Sequence, residues 1–176
     1  MVEKSIFGTL ADGTAIDLYK ITNKSGAFVT LQTLGAGIQS INVPDKNGVL
    51  ADVVLGFDNP QDYTNPDLGY QGLVVGRWAN RIRGAKFTFN GKEYTTPMNQ
   101  GQWTLHGGGR FSFTPWDVEE TGENYVVFKR FSPDGEDGFG GNFTMRVKYT
   151  FTEDNTLRLE YSILSDKDTV ANPTNH

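Results

Sequence analysis

The chain has no cysteine, only two histidines and no long apolar run in its 176 residues. Without cysteine it cannot form a disulfide framework, an iron–sulfur site or a thiolate zinc site, which fits a reducing compartment and makes the cytoplasm the expected location. Nowhere do about 18 apolar residues follow one another, and residues 1–10 do not have the pattern of a leader. We therefore expect neither a membrane span nor a signal peptide.

Positive charge is also scarce, because 21 acidic residues outnumber 16 basic ones and give a net charge of -5. Such a chain has no general basic field to attract DNA, RNA or an anionic membrane. We expect no nucleic-acid and no membrane partner. The length is sufficient for one domain with a real hydrophobic core.

The clearest pattern is an apolar period of two rather than 3.6. Apolar and polar residues alternate along Phe143–Phe151, which is typical of a half-buried strand, and the alternation resumes with Leu157, Leu159 and Tyr161 after a polar break. The two runs predict an antiparallel hairpin. Asn90-Gly91 between Lys86–Phe89 and residues 93–96 is a strong signal for a second hairpin.

Further short runs of strand character are separated by Gly, Asn and Pro turns, and no segment strongly predicts a helix. Strands with one apolar face must be covered by another sheet, so the pattern predicts an all-β fold, an antiparallel sandwich or a barrel. The remaining predicted strands are Ala15–Thr22 and residues 27–34, 37–43, 51–56 and 125–131.

The two histidines lie in stretches that do not alternate, His106 in Leu-His-Gly-Gly-Gly and His176 in Asn-Pro-Thr-Asn-His. Histidine gives or takes a proton near neutral pH, so two brought together by the fold suit acid–base work. Each could equally be a hydrogen-bonding loop residue. A metal site is a weaker interpretation, because two histidines without helical spacing fall short of the usual three zinc ligands.

Two more stretches are rich in polar residues. Residues 76–83 hold three arginines, an asparagine and a tryptophan, which suit a sugar's hydroxyls and apolar face, although surface pairing with carboxylates is the alternative. Residues 132–141 form an acidic stretch that lacks the spacing of a calcium-binding EF-hand and is better interpreted as a turn-rich loop.

In this order, these stretches resemble the aldose 1-epimerase family, and the resemblance runs from about Phe7 to the last residue. It implies a galactose mutarotase-like β-supersandwich and an isomerase that interconverts the α and β anomers of free hexoses such as galactose and glucose, without a cofactor. The matching motifs are GRWANRI (76–82), LHGG (105–108), Trp116, SPDGEDG (132–138) and NPTNH (172–176).

The resemblance also implies roles for individual residues. His176 corresponds to the general acid at the ring oxygen, and His106 to a hydrogen-bonding neighbour that holds or polarises the same region. Asn80 and Arg81 correspond to residues that bind sugar hydroxyls. No residue is expected to bind a metal.

The family's general base, a glutamate near its C-terminus, and an aspartate that grips the sugar have no counterpart in this chain. Family members are about twice as long, so we expect residues 1–176 to be the N-terminal part of a single, truncated sandwich domain. Such a part would expose sheet edges and apolar faces, and should be poorly stable or associate with itself or with a complementary C-terminal fragment.

Two alternatives remain open at this stage. One is a hexose-6-phosphate 1-epimerase relative, in which the three arginines would face a phosphate. The other is a carbohydrate-binding sandwich without catalysis, since binding groups are present and one catalytic partner is not.

Overall fold

The structure, a computed structural model, describes all residues from Met1 to His176. About 49% of the chain is strand and 10% is helix, and every paired strand is antiparallel to its neighbour, which confirms the predicted fold class. One sheet contains, in spatial order, β1 (Val2–Thr9), β2 (Ala15–Thr22), β3 (Phe28–Gln32), β4 (Gly37–Pro44) and β5 (Leu50–Asp52). The second contains, in spatial order, β11 (Asp117–Thr121), β12 (Tyr125–Ser132), β13 (Phe143–Phe151) and β14 (Leu157–Ser165).

Shorter elements lie between and after the two sheets. Three small strand pairs are β6 with β15, β7 with β10, and β8 with β9. Their strands are Val74–Val75 (β6), Arg81–Arg83 (β7), Lys86–Phe89 (β8), Lys92–Thr95 (β9), Trp103–Leu105 (β10) and Thr174–Asn175 (β15). The helical elements are α1 (Pro60–Tyr63), α2 (Arg110–Phe113) and the 3₁₀ turns Pro66–Leu68, His106–Gly108 and Glu136–Gly138.

The two predicted hairpins are confirmed. Strand β13 buries every second residue from Phe143 to Phe151 and pairs with β14 in unbroken register. In the hairpin of β8 and β9, Asn90 and Gly91 have φ values of 49° and 74°, the left-handed pair that a tight two-residue turn requires.

Some elements differ from the prediction. Strands β1 and β11 were not predicted, because their side chains are largely exposed and carry no apolar alternation. The strand predicted at 51–56 ends at Asp52, whose carboxylate accepts the N–H groups of Ile41 and Val54 and ends the regular pairing. Helices α1 and α2 are only four residues long, too short to leave a period of 3.6 in the sequence.

The main core lies between the two large sheets. It contains 17 buried residues, of which 12 come from the inner faces of β2, β3 and β4 on one side and of β12 and β13 on the other. The other five are Ala27, Ala36, Val74, Phe111 and Trp116. Burying each large apolar side chain contributes about 1.5–3 kcal/mol. The helical elements are at most four residues long, far short of a membrane-spanning helix.

Two small strand pairs bring together loop segments that are far apart in the sequence. Strand β15 pairs with β6, so the chain's last residues lie beside residues 72–75. Strand β10 pairs with β7 and sets Leu105 opposite Arg81. These two pairings bring residues 70–81, 99–113 and 174–176 together.

The second sheet has an uncovered edge at β14. Tyr161 and Ile163 alternate with the outward-facing residues of this strand and share the core side of the sheet, yet they are 38% and 39% exposed. On the outer face, Leu164 is 68% exposed and lies in one row with Thr144 and the exposed Phe131. We refer to Tyr161 and Ile163 as the β14 apolar edge.

Candidate functional site

The loop that carries His106 has an unusual backbone. His106 has a φ of 50°, and Gly107, Gly108 and Gly109 follow it at positive φ. A left-handed conformation at a residue with a side chain costs roughly 1–2 kcal/mol and recurs at functional sites. At Gly107 a side chain is excluded outright, because an added Cβ would lie 2.2 Å from the carbonyl oxygen of Gly76. The glycines therefore let the His106 loop pack directly onto the backbone of residues 76–77.

The orientation of His106 is fixed by a backbone donor. The N–H of Asn80 donates to Nδ1 of His106 at 3.0 Å, and the N–H of His106 donates to the carbonyl oxygen of Asn80 at 3.1 Å. Because Nδ1 accepts this bond, the neutral imidazole carries its proton on Nε2. His106 thus offers an N–H donor from Nε2.

His106 is also held in its neutral form. Its side chain is only 8% exposed, and burial, followed by the neighbouring His176 and Arg81, lowers its pKa from 6.5 to about 4. Each of these causes disfavours a positive charge on the ring. Near neutral pH, His106 is therefore a hydrogen-bond donor without charge.

His176 lies against His106. The two ring centroids are 5.0 Å apart at an interplanar angle of 84°, an edge-on arrangement. The N–H of His176 donates to the carbonyl oxygen of Leu73 at 2.9 Å, and its own carbonyl oxygen accepts the N–H of Gly72 at 2.9 Å. The preceding Asn175 adds a side-chain bond to the carbonyl oxygen of Gly72 at 2.6 Å. His176 is exposed, so the histidine pair has one buried and one accessible member.

The two predicted sugar-binding residues lie beside this pair. Asn80, with a φ of 66°, contacts His106 through its backbone and accepts an Nη1 bond from Arg81 at 3.2 Å through Oδ1. Arg81 also donates from Nε to Gln100 Oε1 at 2.7 Å. Both side chains are exposed, and Nη2 of Arg81 makes no bond within the protein. All four sequence-predicted site residues are thus linked by contacts that converge on His106, and we call this surface region the histidine cleft (Asn80, Arg81, His106, His176).

Sequence reasoning missed two residues of this neighbourhood. Tyr70 is 5% exposed and its ring contacts both imidazoles. Asn99 forms two hydrogen bonds with the backbone of Leu105, the residue before His106. Its side chain donates to the Leu105 carbonyl oxygen and accepts the Leu105 N–H. Both lie in irregular stretches, where no periodicity marks a residue as a contact of the site.

Arg77 is buried and so does not fit the interpretation of residues 76–83 as a sugar-binding surface. It is 1% exposed, and its guanidinium donates to Ser132, Pro133 and Gly140. Burial lowers the pKa of this group. Arg77 therefore ties the acidic loop, residues 132–141, to the histidine cleft, and only Arg81 and Arg83 of the three arginines are exposed.

The acidic loop makes ion pairs within the protein. Asp137 pairs with Arg110 at 3.2 Å, and Glu136 pairs with the largely buried Arg130 at 3.1 Å. Burial raises the pKa of Asp137. Nowhere does the chain bring together three or more His, Cys, Asp or Glu side chains that could hold a metal ion.

Fold and site together define an antiparallel β-sandwich protein with a cleft built around a histidine pair. The sequence profile of the family described as aldose 1-epimerase matches residues 17–176, and the chain belongs to this family of isomerases. Among curated proteins, the chain is 40% identical over 178 residues to the aldose 1-epimerase of Haemophilus influenzae, which covers 100% of this chain and 51% of the relative. It is 37% identical to the galactose mutarotase of Rattus norvegicus, covering 99% of this chain and 51% of the relative.

Solved structures agree with the fold. A GalM/aldose epimerase homologue from C. elegans superposes with a TM-score of 0.83 at 35% identity, over 89% of this chain and 48% of that one. Galactose 1-epimerase from Lactobacillus acidophilus gives a TM-score of 0.84 over 100% of this chain and 52% of that one, and at 24% identity it supports the fold alone. The chain spans about half the length of the curated relatives that it matches.

Proposed function

We propose that the histidine cleft binds a free hexose such as galactose or glucose and interconverts its α and β anomers, as the names of the relatives indicate for those proteins. The observation that carries this proposal is the contact of His106 with His176 beside two exposed polar side chains. A neutral N–H donor, a second imidazole, an amide and a guanidinium are groups that match a polyhydroxyl ligand.

The chemistry requires two proton transfers. The anomeric hydroxyl loses its proton to a base while the ring oxygen gains one from an acid, and the bond between the anomeric carbon and the ring oxygen breaks to give the open aldehyde. Rotation of the aldehyde and the reverse transfers close the ring on the other face. Substrate and product have the same composition, so no oxidant, reductant or leaving group takes part.

We assign the acid to His176, because it is the accessible member of the pair. The buried, neutral His106 donates a hydrogen bond from Nε2–H to the sugar close to its ring oxygen and so helps to hold that part of the sugar beside His176. Asn80 and Arg81 bind hydroxyls of the sugar, with the free Nη2 of Arg81 as one donor. A positioned general acid contributes roughly 10²–10⁴-fold in rate.

The test is polarimetry of freshly dissolved α-D-galactose with the 176-residue chain, against buffer alone. Because no residue of this chain is assigned as the base, we expect at most a small residual acceleration, which should be proportional to protein concentration and lost in His176→Gln. The matched control is Arg83→Met, which removes an exposed charge from the same stretch and should retain the rate. Equal rates for the wild type and buffer, together with saturable galactose binding, would favour the carbohydrate-binding sandwich without catalysis.

The same assay separates the phosphate-specific alternative. Arg77 is engaged by three residues of the acidic loop, so of the three arginines only Arg81 and Arg83 remain to meet a phosphate. We therefore expect free galactose and glucose to be preferred over a hexose 6-phosphate. A preference for the phosphorylated sugar would overturn this assignment of substrate class.

A further inference from the structure

The ring of Tyr70 contacts both histidines of the cleft. Its ring centroid is 4.6 Å from that of His106 at an angle of 67°, and 5.9 Å from that of His176 at an angle of 45°. With the 5.0 Å between the imidazoles themselves, the three rings form a closed cluster in which each ring contacts the other two. No other aromatic side chain is shared by both histidines.

Tyr70 is itself held from several sides. Phe113 stacks on its ring at 4.8 Å, and an added Cβ at Gly109 would lie 3.5 Å from its hydroxyl. Burial raises the pKa of Tyr70. The side chain of Asn99 fixes the backbone of Leu105, directly before His106.

The backbone of Tyr70 is linked to the other histidine. Its carbonyl oxygen accepts the N–H of Leu73 at 3.0 Å, and the carbonyl oxygen of Leu73 accepts the N–H of His176 at 2.9 Å. Tyr70 is therefore connected to His176 through the backbone of Leu73, and its ring contacts both His176 and His106.

We propose that Tyr70 is a positioning residue whose ring fixes the two imidazoles relative to each other and shields His106 from water. This role rests on the proposed function, because it serves an acid–base pair whose members must act on the same sugar. Misplacement of reacting groups by about 1 Å costs on the order of 10²-fold in rate. A rigid, two-angle aromatic wedge meets that requirement better than a flexible aliphatic side chain.

The charged and titratable groups that face His106 are His176 and Arg81, with the hydroxyl of Tyr70 at the third side. The N–H of Asn80 occupies Nδ1. Removing the Tyr70 ring leaves these groups in place and admits water to His106. The imidazole is then less buried, so its pKa should rise toward the ordinary value.

The experiment uses the chain without any sugar. Because only two histidines are present, long-range ¹H–¹⁵N spectra of the imidazoles give two spin systems whose tautomers and pKa values can be followed directly. The variants are Tyr70→Met, which replaces the ring by a smaller and flexible side chain, and Tyr70→Phe, which keeps the ring and loses the hydroxyl. Phe57→Leu is the control, since Phe57 packs on Tyr63 and contacts neither histidine.

In wild type and in Tyr70→Phe, we expect His106 as the Nε2–H tautomer with a pKa of about 4. In Tyr70→Met, its pKa should rise by about one unit or more toward the ordinary value, with a mixture of tautomers. Phe57→Leu should match the wild type. In the polarimetric assay, Tyr70→Met should lower kcat by about tenfold or more with little change in KM.

A folded Tyr70→Met with the wild-type tautomer and pKa at His106 would overturn the proposal, as would a Tyr70→Phe that changes them as much as Tyr70→Met does. Nuclear Overhauser contacts from the Tyr70 ring to both imidazoles in the wild type test the same point without any substitution, and their absence would overturn it too. These readouts need no turnover, so a failure of the proposed function does not affect them.

Discussion

His106 combines a left-handed backbone, a buried ring and a backbone donor on Nδ1, and its depressed pKa makes stability depend on pH. Its pKa is about 4 in the folded protein, whereas the ordinary pKa of a histidine, taken for the unfolded chain, is 6.5. Between these values the unfolded chain binds more protons than the folded one, so the free energy of unfolding rises with pH up to about 6.5 and falls as the pH drops toward 4.

The first prediction concerns this window. Between pH 7 and pH 4.5, the wild type should lose about 2–3 kcal/mol of unfolding free energy that His106→Gln does not lose, as measured by urea unfolding at several pH values. Glu119→Gln is the control, because its ion pairs with Arg146 and Lys129 lower the pKa of that carboxyl to about 2 and its contribution changes only at lower pH. Parallel pH curves for wild type and His106→Gln would contradict the account.

A second prediction at this scale concerns Gly107. Gly107→Ala places a Cβ against the Gly76 carbonyl oxygen at a φ of 64°, so it should destabilise the chain by about 3 kcal/mol or more. Gly26→Ala has a similar backbone strain, with a φ of 86°, but meets open space and should cost about 1–2 kcal/mol. Thermal and urea unfolding of both variants measure the difference. Equal costs would show that the contact with residue 76 does not matter.

Residue-level chemistry was predictable from the sequence only in part. His106 and His176 stood out because the chain has no other histidine, and their motifs indicated the family. Tyr70 did not stand out, since its meeting with His106 depends on the pairing of β6 with β15 and of β7 with β10, which no local pattern encodes.

At the scale of elements, Arg77 connects the segment after β6 to the end of β12. Its guanidinium donates to the carbonyl oxygens of Ser132, Pro133 and Gly140 and packs 4.7 Å over the ring of Phe143. Buried acceptors left without a donor cost about 1–3 kcal/mol each. Together with the ion pair of Arg110 and Asp137, this side chain links the acidic loop to the histidine cleft, and it is the only one of the two that is buried.

The third prediction follows from that link. Arg77→Met should lower the free energy of unfolding by about 3–5 kcal/mol, because it removes the donors and leaves the carbonyl groups buried. Arg83→Met, at an exposed position of β7, should change it by no more than about 0.5 kcal/mol. Urea unfolding followed by tryptophan fluorescence compares the two. A tolerated Arg77→Met would mean that the loop is held by other contacts.

Strand prediction succeeded for long strands with one buried face and for the hairpin marked by Asn90-Gly91, and it failed for strands that are very short or mostly exposed. The alternation of β13 follows directly from its position in the middle of the second sheet. Strands β1 and β11 are edge strands with mostly exposed side chains, so hydrogen bonding to a neighbour alone makes them strands. Hydrophobic pattern carries no information about such elements.

For the whole molecule, the β14 apolar edge is a part of the core side of the second sheet that has no covering layer. We propose that residues 1–176 belong to a single sandwich domain whose further strands would cover this edge, and that a second copy covers it when the chain is alone. An unpaired edge strand beside exposed apolar side chains is a ready site for such association.

The fourth prediction tests that surface. Sedimentation velocity of the wild type should show concentration-dependent association, and Ile163→Lys should reduce it by placing a charge on the core side of β14. Ser162→Lys, on the opposite face of the same strand, is the matched control and should have the smaller effect. A wild type that sediments as a monomer at all concentrations and unfolds cooperatively would contradict the proposal.

The most direct measurement is a titration of the chain with D-galactose, followed at the imidazole signals of its two histidines. The account predicts that both His106 and His176 respond saturably with a single dissociation constant, and that Arg81→Ala weakens this response while Arg83→Met leaves it unchanged. If neither histidine responds to galactose, or if Arg81→Ala and Arg83→Met behave alike, the histidine cleft is not the hexose site proposed for this chain.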